Sequence, residues 1–254
     1  MARPGRHGLT DDQWKRLRPL LPREKDRSGA PAKISNRQIV HASLWILKTG
    51  APWRDLPRHM GKWNSIYRRY RKWCLDGVWD DVLAHLSKDS DDEWHSLDGT
   101  IVRAHQDASG GVGGAEKNGI GKSRGGRTTK IHARVDALGY LLAYVVTGGQ
   151  VHDSQQALPL LNGARASAFL MDKAYDSDVI RDQLTHMNAV AVIPPRSNRN
   201  VQHEYDRHLY KERHSVENFF QRFQRFRKLA TRYAKRIELY SGAIALVAVV
   251  DWLR

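Results

Sequence analysis

Apolar positions in the first ninety residues recur at the spacing of amphipathic helices. Leu9, the following Thr10 and, three positions on, Gln13 are typical of a helix start, in which the threonine caps the helix and the glutamine completes a capping box. A second helix is predicted over residues 36–49, where one side collects Ile39, Val40, Ser43, Leu44 and Leu47. Gly50 should end that helix. The region as a whole is predicted to be helical.

Residues 53–73 predict a short helix, a turn at Gly61 and a longer helix rich in Arg, Lys, Tyr and Trp. On the longer helix, Ile66, Tyr70 and Trp73 would face the core. Its other faces would be free for a DNA groove and its phosphates, and they carry Asn64, Ser65, Arg68, Arg69 and Arg71. This arrangement is typical of a helix-turn-helix. The alternative is a simple helical bundle with a solvated charged face.

Beyond an acidic stretch at residues 89–93 the pattern changes to strands. These are predicted over residues 94–103, 128–135, 140–147, 168–172 and 189–193. Helices starting at Asp153 and near Asp176 separate the later strands. Three strands, helix, strand, helix, strand and a late helix match the order of a ribonuclease H-like, retroviral integrase-like α/β fold. We therefore predict an all-α, helix-turn-helix-like DNA-binding domain over residues 1–88 and a ribonuclease H-like catalytic domain over residues 94–254.

A strongly amphipathic helix is predicted from about residue 210 to residue 230. Its apolar stripe contains Val216, Phe219, Phe220, Phe223, Phe226 and Ala230. A second line beside the stripe contains Arg213, Glu217, Gln221, Gln224 and Lys228, and Tyr210 extends it backwards if the helix starts that early. A carboxylate next to a buried stripe is held in position, which makes Glu217 a candidate functional residue. The alternative is a solvated glutamate that stabilises the helix start.

Three carboxylates stand where a metal-dependent nuclease needs them. Asp98 lies in the first predicted strand, Asp172 ends the fourth, and Glu217 lies at the front of the late helix, 74 and then 45 positions further on. Carboxylates on two strands and one helix can meet around a pair of Mg²⁺ ions. Such a pair can activate an attacking oxygen and stabilise a leaving one during phosphodiester displacement. The residues therefore predict metal-dependent phosphoryl transfer on nucleic acid.

The charge of the chain favours an anionic partner. The formal net charge is +15 and the isoelectric point is about 10.1. Residues 1–90 hold 19 Lys and Arg against 9 Asp and Glu, and residues 211–236 hold 9 against 2, whereas residues 91–210 are nearly neutral. Double-stranded DNA is the expected partner. The single cysteine, Cys74, excludes an intrachain disulfide and fits the reducing cytoplasm. With no leader pattern at the N-terminus, a cytoplasmic, nucleoid-associated protein is expected.

A glycine-rich segment, residues 109–126, invites comparison with a phosphate-binding loop. It fails because position 116 is Glu116 where that motif needs glycine, and because a strand should follow it. A mobile loop near the active site, with Lys117, Lys122, Arg124 and Arg127 available to DNA, is predicted instead. His105, His132 and His152 lack partners at metal-ligand spacing, so structural roles are favoured for them.

The chain resembles bacterial insertion-sequence transposases of the DDE class, in the family of insertion sequence five. The matching segments are residues 9–21, 50–57, 98–105, 123–126, 128–132, 172–177, 193–198 and 210–224. The resemblance implies that Asp98, Asp172 and Glu217 bind two Mg²⁺ ions, with Mn²⁺ able to substitute. It also implies that water cuts the element end, and that the freed 3′-hydroxyl then attacks target DNA.

The family signature around the glutamate has Tyr210, Arg213 and Glu217 in place, but Gln224 stands where the family has a lysine. This puts the phosphate contact at that point in doubt, and Arg225 or Lys228 could substitute. Arg127, where an apolar residue is expected, is a smaller departure. Besides the helix-turn-helix residues, the predicted DNA contacts are Lys122, Arg124, Lys130, Lys173, Arg196, Tyr210, Arg213, Gln224, Arg225 and Lys228.

The expected assembly is a homodimer or higher oligomer holding two element ends and target DNA. Two other functions stay open. A host ribonuclease H-like nuclease would explain the carboxylates but not the helical block in front of them. A catalytically inactive DNA-binding repressor derived from a transposase would explain the charge.

Overall fold

The computed structural model describes residues 7–24 and 34–254 of the chain. Residues 1–6 and 25–33 of the predicted helical block lie outside the described part. The helices are α1 (Asp11–Leu17), α2 (Asn36–Thr49), α3 (Trp63–Leu75), α4 (Val78–Leu86), α5 (Gly114–Lys117), α6 (Ala157–Leu161), α7 (Asp178–His186), α8 (His214–Gln224), α9 (Arg227–Ala230) and α10 (Ile237–Trp252). The strands are β1 (Trp94–Ala104), β2 (Gly121–Ser123), β3 (Gly126–Val135), β4 (Leu141–Gly148), β5 (Ala168–Leu170), β6 (Val190–Val192) and β7 (Thr231–Arg232).

The predicted helix starts of the N-terminal block are confirmed. Thr10 caps α1, and its backbone amide in turn bonds to the Gln13 side chain, which completes the capping box. Ser35 and Gln38 form a second capping box at α2, and Gly50, in the left-handed conformation at φ +80°, ends that helix. Local side-chain chemistry is therefore enough to set these boundaries.

The prediction of a short helix after residue 53 is wrong. Two single 3-10 turns replace it, at Trp53–Asp55 and Arg58–Met60. Pro52 and Pro57 precede the two turns, and residues that precede a proline are disfavoured in the helical conformation. Gly61 then turns the chain at φ +116°, and α3 follows with Ile66, Tyr70 and Trp73 buried as predicted.

The sheet has the predicted ribonuclease H-like order. β1 pairs antiparallel with β3, β3 pairs antiparallel with β4, and β5 and β6 continue parallel to β1 on its other side. Along that other side, β5 pairs only with residues 94–96 of β1 and β7 only with Arg103 and Ala104. A stretch of β1 between them, which contains Asp98, therefore has an open edge toward β5 and β7.

The N-terminal helices share one hydrophobic core with the catalytic domain. Its members include Leu17, Ile39, Ile66, Trp79, Ile131, Phe219 and Ile244, from α1, α2, α3, α4, β3, α8 and α10. A second core, around Leu97, Leu160 and Leu184, packs α6 and α7 on the opposite face of the sheet. The sequence predicts a boundary at residues 89–93, but the helical block packs around α10 at the far end of the chain.

The late amphipathic helix is shorter than predicted. It ends at Gln224, and the extended backbone of Phe226 (φ −93°, ψ 103°) separates it from α9. Lys228 therefore does not lie on the helix that carries Glu217. The predicted loop over residues 109–126 contains α5 and β2. No helix within residues 7–24 and 34–254 has both the length and the hydropathy to cross a membrane.

Candidate active site

Asp98 lies in the middle of β1, beside the open edge. One carboxylate oxygen accepts a hydrogen bond from the Gly99 amide at 2.7 Å, and the other accepts one from Nη1 of Arg213 at 2.8 Å. Burial raises the pKa of Asp98, and the charge of Asp172 adds to that rise, although both hydrogen-bond donors oppose it. Asp98 and Asp172 are thus close enough to repel each other.

Asp172 follows β5 and caps the 3-10 turn Lys173–Tyr175, accepting from the Ala174 amide at 2.8 Å. Arg196 fixes this turn by donating to the carbonyl oxygens of Lys173 and Ala174. Asp172 is therefore placed by a local cap, and the cap is held from a distant loop.

Asp176, the residue directly after the Lys173–Tyr175 turn, also stabilises that turn. This buried carboxylate forms ion pairs with Arg181 at 2.9 Å and Arg199 at 3.0 Å. Those contacts hold the chain immediately after Asp172 in place, so they position the candidate site without belonging to it.

Glu217 lies in the first turn of α8, and its side chain is half exposed. Nη2 of Arg213, four residues earlier, donates to the Glu217 carboxylate. Since Nη1 of the same guanidinium binds Asp98, Arg213 joins strand β1 to helix α8. The structure thus brings together Asp98, Arg213 and Glu217, all of which were predicted from the sequence.

The three carboxylates supply oxygen donors of the kind that divalent metals prefer. Within the described ranges, no group of three or more His, Cys, Asp or Glu side chains lies close enough to hold a metal ion. The Arg213 guanidinium lies between Asp98 and Glu217 and neutralises charge there. The donor chemistry fits a divalent metal. Binding of that metal by Asp98, Asp172 and Glu217 together stays a prediction.

A fourth acidic residue, Asp153, lies against Gly99 and was missed by sequence reasoning. A Cβ atom at Gly99 would come within 2.1 Å of the Asp153 carboxylate, so that position requires glycine. Asp153 accepts from Lys130 at 2.6 Å and contacts Nδ1 of His132 at 2.9 Å, and these partners lower its pKa against the effect of burial. Lys130, predicted to contact DNA, is therefore engaged within the protein.

Tyr175 is the second residue that sequence reasoning missed. The side chain is buried, and its hydroxyl has no hydrogen-bond partner in the described structure. Burial raises the pKa of Tyr175, and the charges of Asp153, Asp98 and Asp172 add to the rise while Arg213 opposes it. The only sequence signal was its place in the segment after Asp172.

Most predicted DNA contacts lie on the surface. Exposed side chains are those of Asn64, Ser65, Arg68, Arg71, Lys122, Arg124, Lys173, Arg196, Gln224 and Arg225. Arg69 instead donates to the Ile34 carbonyl, and the half-buried Lys228 places its ammonium over the Tyr233 ring. Tyr210 packs edge-on against Tyr205 and beneath the Arg213 guanidinium. The structural role favoured for His132 fits its bonds to Asp153 and Thr147.

Comparison with known proteins decides the family. Residues 92–250 match the family model described as "Transposase DDE domain", which covers more than half of the chain. The chain belongs to the DDE transposase family. Its function is DNA transposition, and the family performs DNA cleavage and transesterification with a divalent metal. Residues 9–83 of this transposase match a second model, "Putative transposase of IS4/5 family", which confirms the resemblance seen in the sequence.

Relatives of this transposase support the assignment. It is 37% identical over 129 residues to the "Putative transposase for insertion sequence element IS6501" of Brucella ovis, covering 50% of this chain and 99% of that protein. It is 44% identical over 103 residues to the "Uncharacterized protein y4sN" of Sinorhizobium fredii, covering 41% of this chain and 82% of that protein. Among solved structures, the piggyBac transposase synaptic complex with hairpin DNA matches 95% of this chain and 70% of that chain at 12% identity, with a TM-score of 0.55. That likeness concerns the fold alone.

Proposed function

We propose that this transposase binds the terminal inverted repeats of an insertion sequence, cuts the element ends and joins them to target DNA, using Asp98, Asp172 and Glu217 to hold Mg²⁺. The observation that carries the proposal is the double contact of Arg213, which links Asp98 on β1 to Glu217 on α8 while the charge of Asp172 reaches Asp98. These contacts connect β1 with α8 near the open edge of the sheet and support a site that includes Asp172.

The residues of the proposed site have separate roles in metal and phosphate binding. A divalent metal, Mg²⁺ or Mn²⁺, supplies Lewis acidity for phosphoryl oxygens when bound. Asp98, Asp172 and Glu217 provide the negative charge that retains it. Arg213 neutralises charge between Asp98 and Glu217, and its planar, multiply donating guanidinium would also suit a DNA phosphate held next to a metal at this site. The capped turn after Asp172 keeps that carboxylate beside Asp98.

DNA recognition is assigned to the exposed basic face of α3. Its neighbour in sequence and space, the pair of 3-10 turns, takes the place of the first helix of the predicted helix-turn-helix. We propose double-stranded element ends and target DNA as partners, with a homodimer or higher oligomer bringing two ends together. Gln224, exposed at the end of α8, lacks the charge of the family lysine, and the adjacent exposed Arg225 is the nearest substitute.

The function is tested on the full chain with DNA taken from either side of its gene. Short inverted repeats in that flanking DNA would define the substrate ends. We expect nicking at the border between repeat and flank in the presence of Mg²⁺, followed by joining to a plasmid target. Tight repeat binding without cleavage in Mg²⁺ or Mn²⁺ would instead identify an inactive repressor. Cleavage of RNA–DNA hybrids in place of repeat ends would identify a ribonuclease H-like nuclease.

Neutralising the basic face of α3 should change the salt dependence of DNA binding. Arg68 and Arg71 are exposed, so Arg68→Gln and Arg71→Gln should each lower the slope of log affinity against log salt by about one if each meets a phosphate. Arg69→Gln is the matched control, because the Arg69 guanidinium donates to the Ile34 carbonyl at 3.2 Å. The slopes are measured by fluorescence anisotropy with the full chain. Equal slopes in all three variants and the wild type would contradict the assignment of α3.

A further inference from the structure

Arg134 is a buried cation that forms no direct ion pair with a carboxylate of residues 7–24 or 34–254. It lies near the end of β3 with 7% of its surface exposed, and its Nε has no hydrogen-bond partner among the described residues. Nη1 lies 3.4 Å from Nδ1 of His95. Burial lowers the pKa of Arg134 to about 10, and the charge of Asp92 opposes this shift. Buried charges in proteins are normally paired or bind an ion, because removing an unpaired charge from water is costly. The buried Arg134 guanidinium therefore indicates a binding site for an anion.

The surroundings of Arg134 form a polar cavity of about 400 Å³. Lys88 and Arg165, both exposed, line it together with Arg134, and Asp92 is the only acidic residue among the lining side chains. One oxygen of the Asp92 carboxylate, Oδ1, contacts Nε2 of His95 at 3.0 Å and accepts from Ser90 at 2.7 Å. Burial, aided by Arg134, lowers the pKa of His95 to about 4, so that ring is neutral near pH 7. Three cations thus face one acid in this cavity.

The cavity is separate from the candidate active site. Arg134 pairs across the strands with Leu97, so both side chains lie on one face of the sheet, whereas the adjacent Asp98 points to the other face. Ser87 and Lys88 come from the segment that joins α4 to β1, and Arg165 from the connection between α6 and β5. The cavity therefore lies on the Leu97 face of the sheet, next to the connections that lead into β1 and β5.

We propose that this cavity binds a phosphoryl group, with Arg134 at its base and Lys88 and Arg165 as a clamp at its mouth. Arginine offers a planar fork of donors that matches phosphate oxygens, and two further cations compensate the remaining charge. A volume of about 400 Å³ holds a phosphate with several waters, each of which occupies about 30 Å³ in the liquid. The phosphate comes either from the backbone of bound DNA or from a free phosphate compound.

The first experiment measures the melting temperature of the full chain in inorganic phosphate and in chloride at equal ionic strength. Above the dissociation constant, each tenfold increase in phosphate should raise the Tm by about 3–5 °C. Arg134→Met should lose most of this shift, and in chloride it should melt no lower than the wild type, because it removes a buried charge that forms no direct ion pair with a described carboxylate. The double variant Lys88→Ala/Arg165→Ala changes only exposed residues and should also lose most of the shift.

Arg207→Ala, at an exposed cation outside the cavity, is the control for general phosphate binding by a basic protein and should keep the shift. If the phosphate shift in the Lys88→Ala/Arg165→Ala variant equals that of the wild type, the proposal is overturned, whether or not Arg134→Met folds. The same result in a folded Arg134→Met variant would also overturn it.

A second experiment identifies the source of the phosphate. Binding of a 30-base-pair duplex is measured across a salt series for the wild type and Lys88→Ala/Arg165→Ala. A DNA phosphate in the cavity predicts a slope lower by about one to two in the double variant. An unchanged slope together with loss of the inorganic phosphate shift supports the site and assigns it to a free phosphate compound. This result is independent of cleavage, so it stands or falls separately from the proposed function.

Discussion

Asp98→Asn, Asp172→Asn and Glu217→Gln are each expected to abolish DNA cleavage and strand transfer by this transposase. An amide has nearly the size of the carboxylate but lacks the charge that retains a divalent metal against phosphate. A loss of at least about a thousandfold is expected, which corresponds to roughly 4 kcal/mol of transition-state stabilisation. Nicking of end-containing DNA in Mg²⁺ or Mn²⁺ is the measurement.

The same variants should fold and bind DNA without metal. Asp98→Asn removes one of two carboxylates that repel each other and leaves Arg213 its contact with Glu217. Asp182→Asn, an exposed acid on α7, is the matched control for loss of one negative charge and should cut DNA normally. Thermal melts of all four variants accompany the nicking assay. Retained cleavage in any one of the three site variants would remove that residue from the metal site.

Features set by neighbours in the chain could be predicted from the sequence. The capping box of Thr10 and Gln13 forms within one turn, so its residue types alone indicate the helix start. The order of strands and helices also follows from local hydrophobic patterns, and it was enough to indicate a ribonuclease H-like sheet. Asp98 and Asp172 could be singled out because each lies on or directly after a strand of that sheet.

Features that depend on distant contacts could not be predicted. The break at Phe226 involves neither Gly nor Pro, and it coincides with the Phe226 ring packing beneath the Lys48 ammonium of α2. Lys130 was expected to reach DNA, but Asp153, 23 positions away, pairs with it. Helical and alternating patterns show which face of an element is buried and do not show which partner buries it.

Arg134 and Arg232 illustrate the same limit for buried charges. Each is an arginine in a strand of the structure, and arginine is a residue type that is mostly exposed in proteins. Arg232 is fully buried and donates to the carbonyl oxygens of Asn118, Gly119 and Ala234. All three lie in loops, and hydrophobic patterns do not predict the path of a loop. Buried cations therefore had to be found from the structure, together with the cavity beside Arg134.

Gly242→Val is expected to destabilise the whole protein strongly. Gly242 lies in α10 where that helix packs against α3, and a Cβ atom there would lie 2.6 Å from the Cys74 sulfur and 3.1 Å from its backbone Cα. Because the backbone of α3 is itself in contact, no change of the Cys74 rotamer can relieve the clash. Overpacking typically costs about 1–3 kcal/mol, so Gly242→Ala should lose stability despite the better helix propensity of alanine, and Gly242→Val should lose more.

Thermal melting of the Gly242 variants, monitored with two probes, also tests how the helical block and the sheet are coupled. Since α10 belongs to the core that both share, the loss at Gly242 should lower a single transition seen equally by near-ultraviolet and far-ultraviolet circular dichroism. Cys74→Ala in the Gly242→Ala background removes the nearest atom and should restore part of the stability, which a double-mutant cycle measures. Gly125→Ala, which meets only the Ser123 hydroxyl at 3.8 Å, is the matched control and should melt like the wild type. Two separate transitions, of which Gly242→Ala shifts only one, would show instead that residues 1–88 unfold as an independent domain.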